Sequence, residues 1–181
     1  VRLAQGEIDQ ARRSLDALIT EATRPSLFRF PRIFRARLAL ASGDLAAVER
    51  WVAAKALSGE DGPQIRLEQE ALIVARMHIQ QNEAAAAIQQ LESWLASARE
   101  NGRTRSLIEI NILLALAHAA LGKRAQAAEA LIQALALAQP EGFRRIFMDE
   151  GRNFAMLLQD TIPEIKDQRL AAYARSLLYT A

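Results

Sequence analysis

Between Ile73 and Leu135 the chain repeats its own pattern of apolar and polar positions. Ala75, His78, Asn82, Ala87 and Leu91 return forty positions later as Ala115, His118, Gly122, Ala127 and Leu131. In each copy one helical run ends at a residue suited to a left-handed turn (Asn82, Gly122) and another begins just beyond it. A helical hairpin followed by its own copy is the signature of a stacked-helix solenoid, in which each unit buries its apolar face only against its neighbours.

The same punctuation extends towards the N-terminus. Gly6 and Gly43 continue the series, at spacings of 37, 39 and 40 residues from Gly6 to Gly122. Apolar residues stepping by three and four predict helices at about 7–22, 30–42, 45–57, 64–81, 83–100, 104–121 and 124–138. Pro31 is acceptable only in a first turn, which places the start of the second helix at about Phe30. The run Ser58-Gly59-Glu60-Asp61-Gly62-Pro63 is a loop. After Gly142 the repeat fades. Phe143–Met148 reads as a short apolar and basic segment, 153–161 as a helix, and Pro163 as the opening of a last helix to Leu178. The fold class expected is therefore all-α: a right-handed superhelix of stacked antiparallel helical hairpins, tetratricopeptide-like, over residues 1–142, with non-repeat capping helices of the same domain over 143–181. The units run longer than the roughly 34 residues of the tetratricopeptide consensus and lack its tryptophan, leucine, glycine and tyrosine signature. The internal pattern nonetheless fits: small residues at Ala36, Ala75 and Ala115 where the first helix meets the second, and Ala11, Val48, Ala87 and Ala127 early in the second helix.

Composition strengthens the helical reading. Alanine, leucine, arginine, glutamine and glutamate dominate, and these lose least on entering a helix. With 23 basic against 21 acidic residues the net charge is +2, and the two signs are interspersed, unlike the clustered basic face of a nucleic-acid-binding protein. Absence of cysteine excludes disulfides and thiolate metal sites and fits a reducing compartment. No apolar run is long enough to span a membrane, so no membrane partner is expected. Val1–Gly6 resembles the last turn of a helix rather than a signal peptide, and the chain, lacking an initial Met, reads as a piece of something longer.

Candidate chemistry is sparse. His78 and His118 each lie four residues before a hairpin turn, one repeat apart, and are read as filling the crevice between paired helices. Asp149 and Glu150, being adjacent, point different ways and are read as a helix cap rather than a two-carboxylate site. Trp51 and Trp94 are read as packed. Arg29, Arg32 and Arg35 form a solvated helix face. No phosphate loop, nucleophile elbow, dinucleotide fingerprint or metalloprotease helix is present, so no catalytic residue, metal or cofactor is assigned and no enzyme is expected. By repeat register, Arg37, Gln69, Arg76, Gln80 and Glu109 point from the first helices of the pairs into the concave groove, where they would bind an effector through hydrogen bonds and charge.

Degenerate hairpins followed by Glu141-Gly142-Phe143-Arg144-Arg145-Ile146-Phe147-Met148-Asp149-Glu150-Gly151 and Ala155-Met156-Leu157-Leu158 resemble the superhelical repeat region of the large ATP-dependent LuxR-family transcriptional regulators of the MalT type. The resemblance covers most of the chain and is strongest over 65–160. It implies a bacterial, cytoplasmic sensing domain that receives a small-molecule inducer or a regulatory protein and relays it to self-association of the parent. It also implies ATP bound by a preceding nucleotide-binding module and DNA bound by a following helix-turn-helix module. Neither module is in these residues, and no inducer-contacting motif carries over. The alternative is a tetratricopeptide-like protein-interaction scaffold unconnected to transcription.

Overall fold

Among the described residues, the helix–helix turns at 43, 82, 102, 122 and 142 are each built by a residue in the left-handed region. In the computed structural model, which describes residues 8–21, 29–58 and 64–178, positive φ occurs at Gly43, Asn82, Gly102, Gly122 and Gly142. From Asn82 to Gly142 these residues fall every twenty positions. Asn82, at φ 63°, is the one non-glycine among them. Asparagine tolerates this region better than other side chains because its amide bonds locally. The hydrogen bonds are the same at these five turns. Glu83 N–H donates to the His78 carbonyl at 2.8 Å and Asn82 N–H to that of Ile79 at 3.2 Å. Lys123 N–H donates to His118 and Gly122 N–H to Ala119, both at 2.9 Å. This paired 6→1 and 5→2 closure satisfies carbonyls that the helix end would otherwise orphan.

The helices so delimited are α1 (Ile8–Glu21), α2 (Arg29–Ala41), α3 (Leu45–Ser58), α4 (Gln64–Gln80), α5 (Ala84–Glu100), α6 (Thr104–Ala120), α7 (Arg124–Ala138), α8 (Arg145–Met148), α9 (Gly151–Thr161) and α10 (Gln168–Leu178). No strand occurs among the described residues. The expected all-α, tetratricopeptide-like repeat is what the chain forms. Pro31 stands in the first turn of α2, as its fixed φ and missing N–H require.

The chain divides into two compact units, Val1–Met77 and His78–Ala181, with the division inside α4. In the first unit α2 packs on both α1 and α3. Its core gathers Ile33, Ala36, Ala39 and Leu40 of α2, Val48 of α3, and Ile73 and Met77 of α4, with half-buried Trp51 and Val52 against them. Trp51 therefore packs at the rim of a core rather than at its centre.

In the second unit α6 is the central element, packed on α5, α7 and α9. It is buried almost all round: Ile108, Ile110, Ile112 and Leu113 are fully enclosed. Each such side chain contributes on the order of 1.5–3 kcal/mol by leaving water. Ala87 and Leu91 of α5, and Ala127, Leu131, Ala134 and Leu135 of α7, are at 0% exposure. Alanine at the crossings lets the helix axes approach closely.

Beyond Gly142 the twenty-residue rhythm fails. α8 is a single turn, and α9 and α10 pack on each other and on α7. Phe147 links the segment, its ring 5.6 Å from Phe154 and 6.4 Å from Tyr173. The Tyr173 hydroxyl donates to the Phe143 carbonyl. Arg144 donates to Ser176, from Nη1 to Oγ at 3.1 Å and from Nη2 to the carbonyl at 2.6 Å.

Two local expectations change here. Pro163 does not open the last helix: it sits in a 3₁₀ turn, Ile162–Glu164. α10 starts at Gln168 because Asp167 Oδ1 accepts from the N–H groups of Arg169 (2.7 Å) and Leu170 (2.9 Å), an aspartate cap stronger than the proline signal. Glu150 does occupy the N-cap position of α9, but its side chain makes no capping hydrogen bond.

Candidate functional site

The first helices of the repeats carry one stripe in common. On α4 it runs Gln69, Ile73, Arg76, Gln80, at intervals of four, three and four, which keep one face of a helix. Thirty-nine residues earlier the same register on α2 gives Phe34, Arg37 and Ala41. Forty residues later on α6 it gives Glu109, Leu113, Leu116 and Ala120.

All five groove residues expected from sequence lie on this stripe, but the structure does not expose them alike. In the first unit Arg37 and Gln69 are half-buried and Arg76 is buried. Arg76 turns one guanidinium nitrogen back on its own helix, Nη1 donating to the Leu72 carbonyl at 3.1 Å. In the second unit Gln80 is exposed at the end of α4, whereas Glu109 is 2% exposed. Gln69, Arg76 and Gln80 share a face of one helix; Arg37 and Glu109 stand at equivalent positions on other helices.

Sequence reasoning passed over a set of buried charges beside this stripe. Arg66, Glu68 and Glu70 on α4 are all buried, Glu68 completely. With Arg76 they make two cations and two anions along one helix. All four take part in polar or electrostatic contacts. The signal was in the repeat: Glu68 and Glu70 precede Ile108 and Ile110 by forty residues, and both isoleucines are fully buried. Carboxylates therefore occupy what the next repeat treats as core. Removing such charges from water costs several kcal/mol per ion unless partners offset it. On α6 the buried polar residues are Ser106, Glu109 and Asn111, and Asn111 Nδ2 donates to the Leu107 carbonyl at 2.8 Å.

The two histidines differ. His78 Nδ1 lies 2.6 Å from Glu83 Oε2. His118 Nδ1 is buried without a hydrogen-bond partner. Its pKa is held below the ordinary 6.5, first by burial and then by the Lys123 ammonium, with Glu92 acting in the opposite sense. Among the described residues, no group of three or more histidine or acidic side chains is placed to hold a metal, and no helix is long and apolar enough to cross a membrane. Arg35 pairs with Asp16 at 3.6 Å on an exposed face, in keeping with a solvated arginine surface.

A family model described as the MalT-like TPR region matches residues 1–162. The chain belongs to that family. The match spans every hairpin turn described above and ends in the 3₁₀ turn before α10, leaving α10 outside it. MalT-like TPR regions are helical repeats, a non-catalytic kind of domain, and TPR-like domains in general mediate protein or ligand interactions. Among curated proteins nothing matches the chain.

Proposed function

We propose that this MalT-like TPR region is the effector-sensing part of a bacterial LuxR-family transcriptional regulator. Its inner helices bind a polar inducer, a small molecule or a regulatory protein. Occupancy is relayed to self-association and to DNA binding by modules outside these residues, with ATP held by a nucleotide-binding module of the same parent and the whole acting in the cytoplasm. On this reading the domain itself catalyses nothing. The observation that carries the proposal is the run of buried charges on α4, Arg66, Glu68, Glu70 and Arg76. A repeat that needed only stability would fill the positions of Glu68 and Glu70 as α6 does, with isoleucine (Ile108, Ile110), since apolar replacement of buried charged groups is often neutral or stabilising. Charges retained at such positions suit a site that trades its internal contacts for those of a polar ligand. A solenoid suits the relay, because a ligand that favours one packing of neighbouring hairpins shifts the population towards it.

Ligand binding to the folded state raises the melting temperature by mass action. A screen of polar metabolites by thermal denaturation is expected to find a compound that raises Tm in a concentration-dependent way. Arg37→Ala and Gln69→Ala, both at half-buried positions, are expected to leave the unliganded Tm nearly unchanged and to weaken the ligand shift. A chain whose Tm no metabolite moves, yet which retains a specific protein from lysate through the same two residues, would be an interaction scaffold instead.

A further inference from the structure

After α7 the chain sets up one more first helix and then breaks it. Gly142 N–H donates to the Gln139 carbonyl and Phe143 N–H to that of Ala138, both at 3.2 Å, the closure that also precedes α6. α8, α9 and the two residues between them span the same 17 residues as α4 and α6. α9 packs on α6 and α7, and α10 packs on α9 and α7. The segment is thus a hairpin whose first helix is interrupted. The interruption is Asp149-Glu150-Gly151, with Gly151 left-handed at φ 71°. Glycine is a common cause of such a break. A Cβ added at Gly151 meets no atom within 4 Å, so the backbone and not crowding sets it. Forty residues earlier stand Glu109, Ile110 and Asn111, buried in an unbroken helix.

α10 bridges the break. Before it, the Tyr173 hydroxyl donates to the Phe143 carbonyl, Arg144 donates to Ser176, and the Tyr173 ring stands edge-on to Phe147. Beyond it, α10 packs on α9. The rings of Phe147 and Phe154 are 5.6 Å apart, whereas residues seven apart in a continuous helix are separated by about 10 Å along its axis. Straightening the segment therefore parts these rings and moves one support of α10 away from the other.

We propose that Asp149–Gly151 is a hinge and that α10 is the latch holding it bent. In the second state α8 runs on into α9, as the corresponding residues of α6 do, and α10 leaves Phe143, Arg144 and Phe147. The angle of the last hairpin is thus exchanged for the docking of α10, a two-state element of the kind through which a binding event is relayed. The hinge stands apart from the effector reading, since it works in the unliganded chain.

The test places nitroxide labels on the whole chain through Arg145→Cys and Gln159→Cys, both exposed positions of a sequence with no cysteine of its own. Electron paramagnetic resonance reads the distance between them. A straight helix sets these Cα atoms about 21 Å apart, and a bent one brings them closer. Gly151→Ala penalises the left-handed turn and is expected to raise the ratio of straight to bent chains about 5- to 30-fold. Gly151→Asn, which tolerates that turn, should raise it far less. Tyr173→Phe is expected to raise the same ratio with Gly151 intact, which a break of purely local origin would not show. Gly151→Ala combined with Tyr173→Phe should display the long distance as a resolved population. A folded double variant that holds only the short distance overturns the proposal. So does a Tyr173→Phe chain whose α10 loosens in amide exchange while the distance stays as it was, and this variant alone decides if the double variant does not fold.

Discussion

His78 Nδ1 lies 2.6 Å from Glu83 Oε2, and the copy of this pair forty residues on is His118 with Lys123. One repeat closes its turn with an acid facing the imidazole, the next with a base. The consequence is a pH dependence with a definite sign. Burial and Lys123 lower the His118 pKa below 6.5, so the folded chain binds its proton less readily than the unfolded chain does. Stability from the neutral ring is present above pH 6.5 and is lost as pH falls from there through the folded-state pKa. His118→Gln should flatten this acid-side loss in urea denaturation measured over a pH series. Lys123→Glu rebuilds the first copy's pair and should move the His118 ring resonance to a higher titration midpoint by NMR. An unchanged midpoint would show that Lys123 does not act on the ring.

Asn82 and Gly122 occupy the same left-handed turn, at φ 63° and 71°. Asn82→Gly should stabilise the chain by a few tenths to about 1 kcal/mol, because glycine carries no penalty in this region. Gly122→Ala should cost about 1–2 kcal/mol. Added at Gly122, a Cβ meets no atom within 4 Å, so the cost is in the backbone alone. Equilibrium denaturation of both variants checks the pair of opposite signs; a neutral Gly122→Ala would mean that the turn relaxes to another conformation.

Helix positions were largely legible from sequence because hairpin turns demand special residues, and the chain supplies them as Gly43, Asn82, Gly102, Gly122 and Gly142. The start of α10 was not, since Pro163 reads as the helix start in sequence and it is the hydrogen bonds to Asp167 that place the start at Gln168. Register alone puts Gln69, Arg76 and Gln80 on one face of α4, with Arg37 and Glu109 at equivalent positions on α2 and α6. Exposure was not legible. Whether Arg76 or Glu109 meets water depends on what packs beside its helix, and sequence periodicity says only which residues share a face. Glu68 and Glu70 hid for the same reason: in sequence a charge on an amphipathic helix looks like a solvated one, and only alignment with Ile108 and Ile110 marks it as buried.

The alanines at the helix crossings give a sharper test of the repeat. Ala87 and Ala127 are equivalent and both at 0% exposure, while Ala85 on the same helix as Ala87 is exposed. Ala87→Leu and Ala127→Leu should each destabilise by about 1–3 kcal/mol, since the closely packed helices cannot admit three more carbons without moving. Ala85→Leu should stay within about 0.5 kcal/mol of the parent, as a surface change away from any special contact does. Chemical denaturation of the three variants distinguishes close packing from a loosely packed bundle, which would tolerate all three equally.

The last helix is tied down by Tyr173, whose hydroxyl donates to the Phe143 carbonyl while its ring stands edge-on to Phe147. Burial raises the Tyr173 pKa from 10.0 to about 12, with Arg144 opposing the rise. A raised acid pKa means that the folded chain holds the phenol proton more tightly than the unfolded chain. The corresponding stability is complete below pH 10 and is lost as pH rises through about 12. Tyr173→Phe keeps the ring and removes the hydroxyl. It should cost about 1 kcal/mol at neutral pH through the lost hydrogen bond and abolish the high-pH step in an ultraviolet tyrosinate titration. It should also raise amide exchange in α10 above that in α6, because α10 is then held by Leu170, Ala171, Ala174 and Leu177 and by Arg144 on Ser176. Equal exchange in α10 before and after the substitution would show that apolar packing alone holds the helix and that the hydroxyl only reports its position.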